Sequence, residues 1–278
     1  MIGSGPIGLE MSQFYLRMGA EVTLIEHADR IAGHEDEDVA RALQAAFEAE
    51  GMTVRTGLTL ESAEACEAGA RLRFKGGEAL EFTDLFVATG RLGNVEDVGL
   101  DSVGLTPERG GTIKVDERLA TEVPGLWAAG DIRGGLQLTQ TSWDDHRVLL
   151  SQLTGDGSRT TRRIIPYAIY TDPELGRVGL SEADAVKQGV AHKVTCYPFA
   201  RIARAKEDGR TAGFVKIVSD PDGEKVLGAA VLGEQGGELI HLFSMLMSLG
   251  AGLSAMREAL FAHPTLSEGM QSAAQEGE

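Results

Sequence analysis

The chain has 278 residues, enough for more than one hydrophobic core, and its 42% hydrophobic and 24% charged residues are the balance of a globular protein. Its formal net charge of −16 argues against a nucleic-acid partner, because affinity for a phosphate backbone comes largely from Lys and Arg. No basic n-region with an apolar h-region opens the sequence, and its two cysteines, Cys66 and Cys196, form no C-x-x-C motif, so a reducing, cytoplasmic setting without disulfides is expected.

In chain order, Met1-Ile2 reads as the stub of a β-strand. It runs into Gly3-Ser4-Gly5-Pro6-Ile7-Gly8, a G-x-G-x-x-G turn that opens a helical stretch from Leu9 to Met18. In such a turn the first glycine makes the tight bend, the second lets backbone approach a pyrophosphate, and the third lets helix pack on strand. The helix N-terminus then offers N–H groups and partial positive charge to phosphates. Ala20 to Glu26 follows as a strand ending in an acid, placed to accept hydrogen bonds from a ribose diol. The same carboxylate repels a 2′-phosphate, so NAD is expected over NADP. His27 and Arg30 just beyond it would soften this preference if they faced the ligand, but are read instead as solvated loop residues. The competing reading is a glycine-rich loop in some other α/β unit, against which Glu26 weighs.

Asp36 to Glu50 places Val39, Leu43, Ala46 and Phe47 on one helical face, and Gly51 stops that helix. Met52 to Arg55 reads as a third strand, giving βαβαβ, half of a doubly wound nucleotide fold. Arg71–Phe74 and Ala79–Phe82 flank Gly76-Gly77 as a hairpin, and Asp84 to Ala88 is a buried-type strand.

Between residues 87 and 153, strands are expected at Ile113–Asp116 and at Gly125–Asp131, with a helix from Thr139 to Leu153. Those are too few strands to bury a sheet alone, so this segment is expected to dock on something else. After the polar linker Thr154–Arg163 come a strand at Ile164–Tyr170, a helix at Leu180–Gly189 with Ser181 and Asp184 as an approximate capping box, and a strand at Lys193–Tyr197. Gly213–Val218 and Val226–Val231 flank the turn Asp220-Pro221-Asp222-Gly223. Helices at Glu238–Ser248 and Ala255–Phe261 close the chain, an α+β arrangement. The apolar stretch Leu239–Met256 contains His241, three serines and two glycines, which favours a core or subunit-contact helix over a membrane span.

Four strings in this order, Gly3–Glu10 with Glu26, Ala88-Thr89-Gly90-Arg91, Ala128-Ala129-Gly130-Asp131 and His263-Pro264-Thr265-Leu266-Ser267-Glu268, resemble the pyridine nucleotide-disulfide oxidoreductase family of dihydrolipoamide dehydrogenase, glutathione reductase and mercuric reductase. The resemblance covers essentially the whole chain. Thr141 to Arg147 and Ile165-Pro166-Tyr167 look most like the mercuric-reductase branch.

The resemblance implies an α/β Rossmann-type NAD-binding domain at residues 1–86, the C-terminal part of an FAD-binding domain at 87–153, and an α+β dimerisation domain at 160–278. It also implies an earlier FAD-binding half with its own glycine turn and a C-x-x-x-x-C redox pair. Neither is in this sequence, so the chain is expected to be the distal part of a longer flavoprotein with an incomplete FAD site. By resemblance, Gly3, Ser4, Gly5, Pro6, Ile7, Gly8 and Glu26 hold the nicotinamide dinucleotide, and Gly90 lies near it or is a simple turn glycine. Asp131 contacts the ribityl-phosphate chain of FAD or caps a turn, Gly130 permits close approach, and Leu138 and Thr139 lie near the flavin ring. Glu10 is explained equally by ligand contact and by helix capping.

His263 and Glu268 are the implied catalytic pair. A carboxylate on one imidazole nitrogen fixes the tautomer and raises the basicity of the other. In the family this pair serves a partner subunit's redox thiol, so a homodimer is expected. No metal-ligand spacing is present, and no metal or membrane partner is expected. Two functions remain open: an oxidoreductase passing hydride from NADH to FAD and on to a disulfide, metal ion or similar acceptor, or a non-catalytic module that binds nucleotide and dimerises.

Overall fold

The computed structural model describes residues 1–276. They form two compact units, one from residues 1–89 together with 166 onward, the other from residues 90–165.

The first unit begins with helix α1 (Pro6–Arg17), strand β1 (Thr23–Ile25), helix α2 (Glu37–Ala49) and strand β2 (Thr53–Arg55). β1 and β2 pair in parallel, while Ile2 bridges in parallel to both Ile25 and Val87. The parallel order Val87, Ile2, β1, β2 is that of a Rossmann half. The α2 face read from periodicity is the buried one at Val39, Leu43 and Phe47, which have no exposed surface, and half-buried at Ala46; Leu9 of α1 is likewise fully buried. Each such side chain contributes about 1.5–3 kcal/mol of burial. Strands β3 (Leu60–Cys66), β4 (Gly69–Phe74) and β5 (Ala79–Phe82) form a three-stranded antiparallel sheet. Its Leu72 and Phe74 close a small core over Ile2 and Ile25. Sequence reading finds β4 and β5 but not β3, whose residues are largely exposed and carry no alternating pattern.

The second unit contains helix α3 (Thr139–Thr154) and short 3₁₀ turns at Leu100–Val103 and Gly130–Arg133. The strands expected at Ile113–Asp116 and Gly125–Asp131 do not form; a lone bridge joins Ala120 to Trp127. Of the apolar residues there, Ile113 and Ala128 are buried, with Leu105, in a small irregular core against which Val115 and Leu126 pack partly buried. An apolar run signals burial; a strand also needs a neighbouring backbone to pair with. Similarly, the stretch Asp84–Ala88 pairs through Val87 alone.

The first unit resumes with β6 (Tyr167–Ile169), β7 (Glu174–Gly179), α4 (Glu182–Lys187), β8 (Lys193–Pro198), α5 (Ala203–Glu207), β9 (Phe214–Ser219), β10 (Val226–Gly233), α6 (Gly236–Leu249), α7 (Leu253–Glu258) and α8 (Ser267–Glu276). The strands make one five-stranded antiparallel sheet in the order β6-β7-β10-β9-β8. α6 lies on this sheet because Gly176 and Gly236 face each other; a Cβ on Gly176 would stand 2.1 Å from the Gly236 carbonyl oxygen. β7, with two glycines and a buried Arg177, and α8, after the His-Pro turn, are absent from the sequence-based element list.

This sheet and the amino-terminal helices share a core in which Leu9, Leu43 and Phe47 pack with Ile169, Leu175 and Leu232. Charges cross the same contact. Glu35, 3% exposed, accepts from the Tyr167 hydroxyl at 2.6 Å and pairs with buried Arg177 at 3.3 Å. Burial pushes the Glu35 carboxyl up, against the opposing Tyr167 bond and Arg177 charge. Lys216, 2% exposed, reaches Asp36 at 3.2 Å, Asp38 at 2.8 Å and Glu182 at 2.7 Å. No helix among the described residues is long and apolar enough to cross a membrane.

Candidate functional site

The glycine turn and the acid meet. Gly3 has φ +95° and its N–H donates to the Ile25 carbonyl at 2.9 Å. A Cβ on Gly3 would fall 2.5 Å from the Ala88 carbonyl oxygen, and one on Gly8 would fall 2.0 Å from the Gly3 carbonyl oxygen. Both glycines are therefore required by the fold itself. Gly5 differs: a Cβ there meets nothing within 4 Å. Gly5 is also the N-cap of α1, with no side-chain cap bond and Pro6 in the first turn. Orphan helix N–H groups beside open space are what a phosphate needs, and Ile7 is exposed at the same helix end.

Glu26 stands directly after β1. Its Oε2 accepts from the Ser4 N–H at 2.9 Å and the Ser4 hydroxyl at 2.6 Å; its Oε1 accepts from the Ala28 N–H at 2.9 Å and lies 3.2 Å from His27 Nδ1. Desolvation opposes ionisation, but the Ala28 and Ser4 bonds, with His27, outweigh it and hold the carboxyl down at about 2. Arg30 turns away, donating to the Gly33 and Glu35 carbonyls. The residues present thus fit an adenine dinucleotide: open space beside Gly5 at a helix N-terminus and an ionised carboxylate at the end of the strand. Glu10 is used differently from a ligand contact, since its Oε1 accepts from the Tyr170 N–H at 2.9 Å.

In the second unit, Gly90 has φ +122° and open space around it. Gly130, at φ +77°, opens the 3₁₀ turn that carries Asp131. Asp131 accepts from the Ser142 hydroxyl at 3.0 Å and lies 3.3 Å from an Arg91 guanidinium nitrogen. Leu138 is the N-cap of α3 and Thr139 its first residue. The turn is held by a residue that sequence reading did not single out. Asp145, fully buried, accepts from the Gly130 N–H at 2.9 Å, from Arg133 at 2.7 Å and from Arg163 at 2.6 Å. Desolvation resists its ionisation, yet these three donors keep its carboxyl below the usual range. Its sequence signal is its place in the Thr141–Arg147 string, which assigns it no role by itself. For a flavin, the unit offers Asp131 and the α3 N-terminus, a partial fit.

His263 and Glu268 are also brought together. His263 Nδ1 lies 3.1 and 3.2 Å from the two Glu268 oxygens, and Glu268 accepts from the Thr265 N–H at 2.9 Å. That backbone bond, with His263 beside it, holds the Glu268 carboxyl below its usual range. Glu268 sits in the first turn of α8, which fixes it. The imidazole is 71% exposed, with its Nε2 edge available to an approaching group. Cys66 and Cys196 are both free thiols, at the end of β3 and within β8. Among the described residues no group of three His, Cys, Asp or Glu side chains is gathered as a metal would require.

A family model described as pyridine nucleotide-disulphide oxidoreductase matches residues 1–145, and the dimerisation domain of the same family matches residues 165–274. The chain is 35% identical over 99% of its length to a dihydrolipoyl dehydrogenase of Thermus scotoductus, of which it covers 60%. It is 31% identical over 97% of its length to the probable pyridine nucleotide-disulfide oxidoreductase RclA of Escherichia coli, of which it covers 62%. The solved structure of that HOCl-induced flavoprotein disulfide reductase superposes with a TM-score of 0.92 at 30% identity, over 99% of this chain and 63% of the other. The chain therefore spans about three-fifths of the length of the relatives it matches.

Proposed function

The chain belongs to the pyridine nucleotide-disulphide oxidoreductase family, and on that premise we propose that it is the nicotinamide-binding, flavin-contacting and dimerising part of an oxidoreductase that passes hydride from NADH to FAD and electrons onward to a disulfide, metal ion or similar acceptor. One observation carries the reading: the ionised Glu26 carboxylate closes on a glycine turn whose middle glycine faces open space. Nicotinamide and flavin, when bound, supply the hydride and electron chemistry.

This chain's own residues bind and orient. Gly5 and the α1 N-terminus receive the pyrophosphate, with Ser4, Pro6 and Ile7 framing it. Glu26 receives the ribose diol, and its negative charge disfavours the 2′-phosphate of NADP. Gly130 and Asp131, on the turn locked by Asp145, face the flavin's ribityl-phosphate chain, with Leu138 and Thr139 nearer its ring, while Gly90 lies near the nicotinamide nucleotide or is a simple turn glycine. His263, its Nδ1 turned to Glu268, presents Nε2 as the site that takes or gives a proton to a thiol of a partner subunit. The placement close to mercuric reductases rests on Thr141–Arg147 and Ile165–Tyr167.

A second reading has its own support. The two free cysteines belong to different sheets, Cys66 ending β3 and Cys196 within β8, and make no C-x-x-x-x-C redox pair; on this reading the chain by itself binds NADH and dimerises without turnover. Titrating NADH and NADPH into the purified chain, with and without a complementing segment that carries a flavin-binding turn and a cysteine pair, tests both. NADH should bind at least roughly tenfold tighter than NADPH, with oxidation arising only on complementation. Tighter NADPH binding overturns the NAD preference. Absence of binding to either overturns the reading.

A further inference from the structure

Glu26 Oε2 has no acceptor capacity to spare. A carboxylate offers about four lone-pair sites, two on each oxygen, and two donors already meet Oε2: the Ser4 N–H at 2.9 Å and the Ser4 hydroxyl at 2.6 Å. Oε1 accepts from the Ala28 N–H and lies 3.2 Å from His27 Nδ1. The Ser4 N–H is fixed by the turn, whereas its hydroxyl is on a side chain that can swing. A ribose hydroxyl docking on Oε2 must therefore displace the Ser4 hydroxyl.

We propose that the Ser4 hydroxyl is a resident stand-in for the ribose: it occupies Glu26 Oε2 in the ligand-free protein, is released when the adenosine ribose of a dinucleotide docks, and so sets the affinity for that ribose. The inference rests on the dinucleotide reading above and adds a residue that tunes it. Ser4 is not needed to hold the carboxylate in place, because its own N–H already bonds Oε2 at 2.9 Å. Nor does protonation free the site, since the Glu26 carboxyl is held near 2 and stays ionised at any working pH. Ser4 is 2% exposed, so its hydroxyl bonds Glu26 Oε2 sheltered from bulk water. The Gly5 opening on the next residue gives the ribose and its phosphate room to arrive.

The competition has a signature that a structural role lacks. Removing the Ser4 hydroxyl must favour ligands that carry ribose hydroxyls over those that lack them. Calorimetric titration of ADP and of 2′,3′-dideoxy-ADP into the wild-type chain and Ser4→Ala reads this directly, without turnover. Ser4→Ala should tighten ADP binding and raise the ratio of ADP to dideoxy-ADP affinity several-fold to about tenfold, the worth of one hydrogen bond to a charged group. Weaker or unaltered ADP binding, or an equal gain for both probes, overturns the assignment of Ser4. Absence of ADP binding to the wild-type chain overturns the dinucleotide reading itself, and the Ser4 proposal with it. Should Ser4→Ala not fold, Ser4→Cys, whose thiol is the weaker donor, must show the same selective gain at smaller size.

Discussion

Glu26 bears on stability through its own titration and, on the proposed reading, on ligand choice. Its folded carboxyl, at about 2, lies below the ordinary value of 4.5. The ionised form is thus the one the fold favours, so its stabilisation is complete above the ordinary value and is lost as pH falls towards 2. Glu26→Gln should therefore lower stability by about 1 kcal/mol at pH 7, with the difference from wild type closing near pH 2; denaturant melts across that range check it. His263 acts at the same scale but not on stability, because it is exposed. In an assembled enzyme, His263→Ala should slow turnover by about 10²-fold or more while leaving NADH affinity untouched. Loss of NADH binding in that variant would assign the residue to the nucleotide site instead.

At the level of elements, the strand–turn–helix unit separates what glycine does for the fold from what it does for a ligand. Gly8→Ala drives a Cβ to 2.0 Å from the Gly3 carbonyl oxygen and should cost about 1–3 kcal/mol as α1 is pushed off its strand. Gly5→Ala meets no atom within 4 Å; it should leave the melting temperature nearly unchanged and weaken ADP binding by roughly tenfold or more. Equal destabilisation by both would mean the Gly5 opening is not a ligand space. α3 makes the parallel argument in the second unit. Asp145 is buried between Gly130, Arg133 and Arg163. Asp145→Asn should cost about 3 kcal/mol by leaving two guanidinium groups undercompensated, seen as a lowered thermal transition.

Across the whole molecule, the amino-terminal Rossmann half and the carboxy-terminal sheet behave as one body because they share an apolar core and a buried charge network. Lys216 is the cation on which three carboxylates converge. Burial works against its charge, but Asp38, Glu182 and Asp36 raise its pKa above the ordinary 10.5, so its contribution is full through neutral pH and is lost only in strong alkali. Lys216→Met should cost about 3 kcal/mol at pH 7 by leaving Asp36 without its cation, and calorimetry should still show both halves melting together. A split transition would mean that the charge network, rather than the shared core, joins them.

The βαβαβ half was legible because its signals are local: glycine spacing, the apolar face of α2, the Gly51 stop and an acid at a strand end each act within a few residues. The His263–Glu268 pair was legible through its five-residue spacing, which one turn and the start of α8 close without long-range help. β3, β7 and the irregular core around Ile113 and Ala128 were not legible. Whether an apolar or mixed run becomes a strand depends on a partner backbone far away in sequence. The same holds for Asp145 and Lys216, ordinary acid and base in sequence, whose roles exist only once distant segments bury them together. The sequence by itself determined the glycine turn, its acid and the family; tertiary structure alone decided which carboxylates are clasped, which glycine is left open, and that the Ser4 hydroxyl bonds Glu26, because hydrogen bonds and burial are made between residues that the chain order keeps apart.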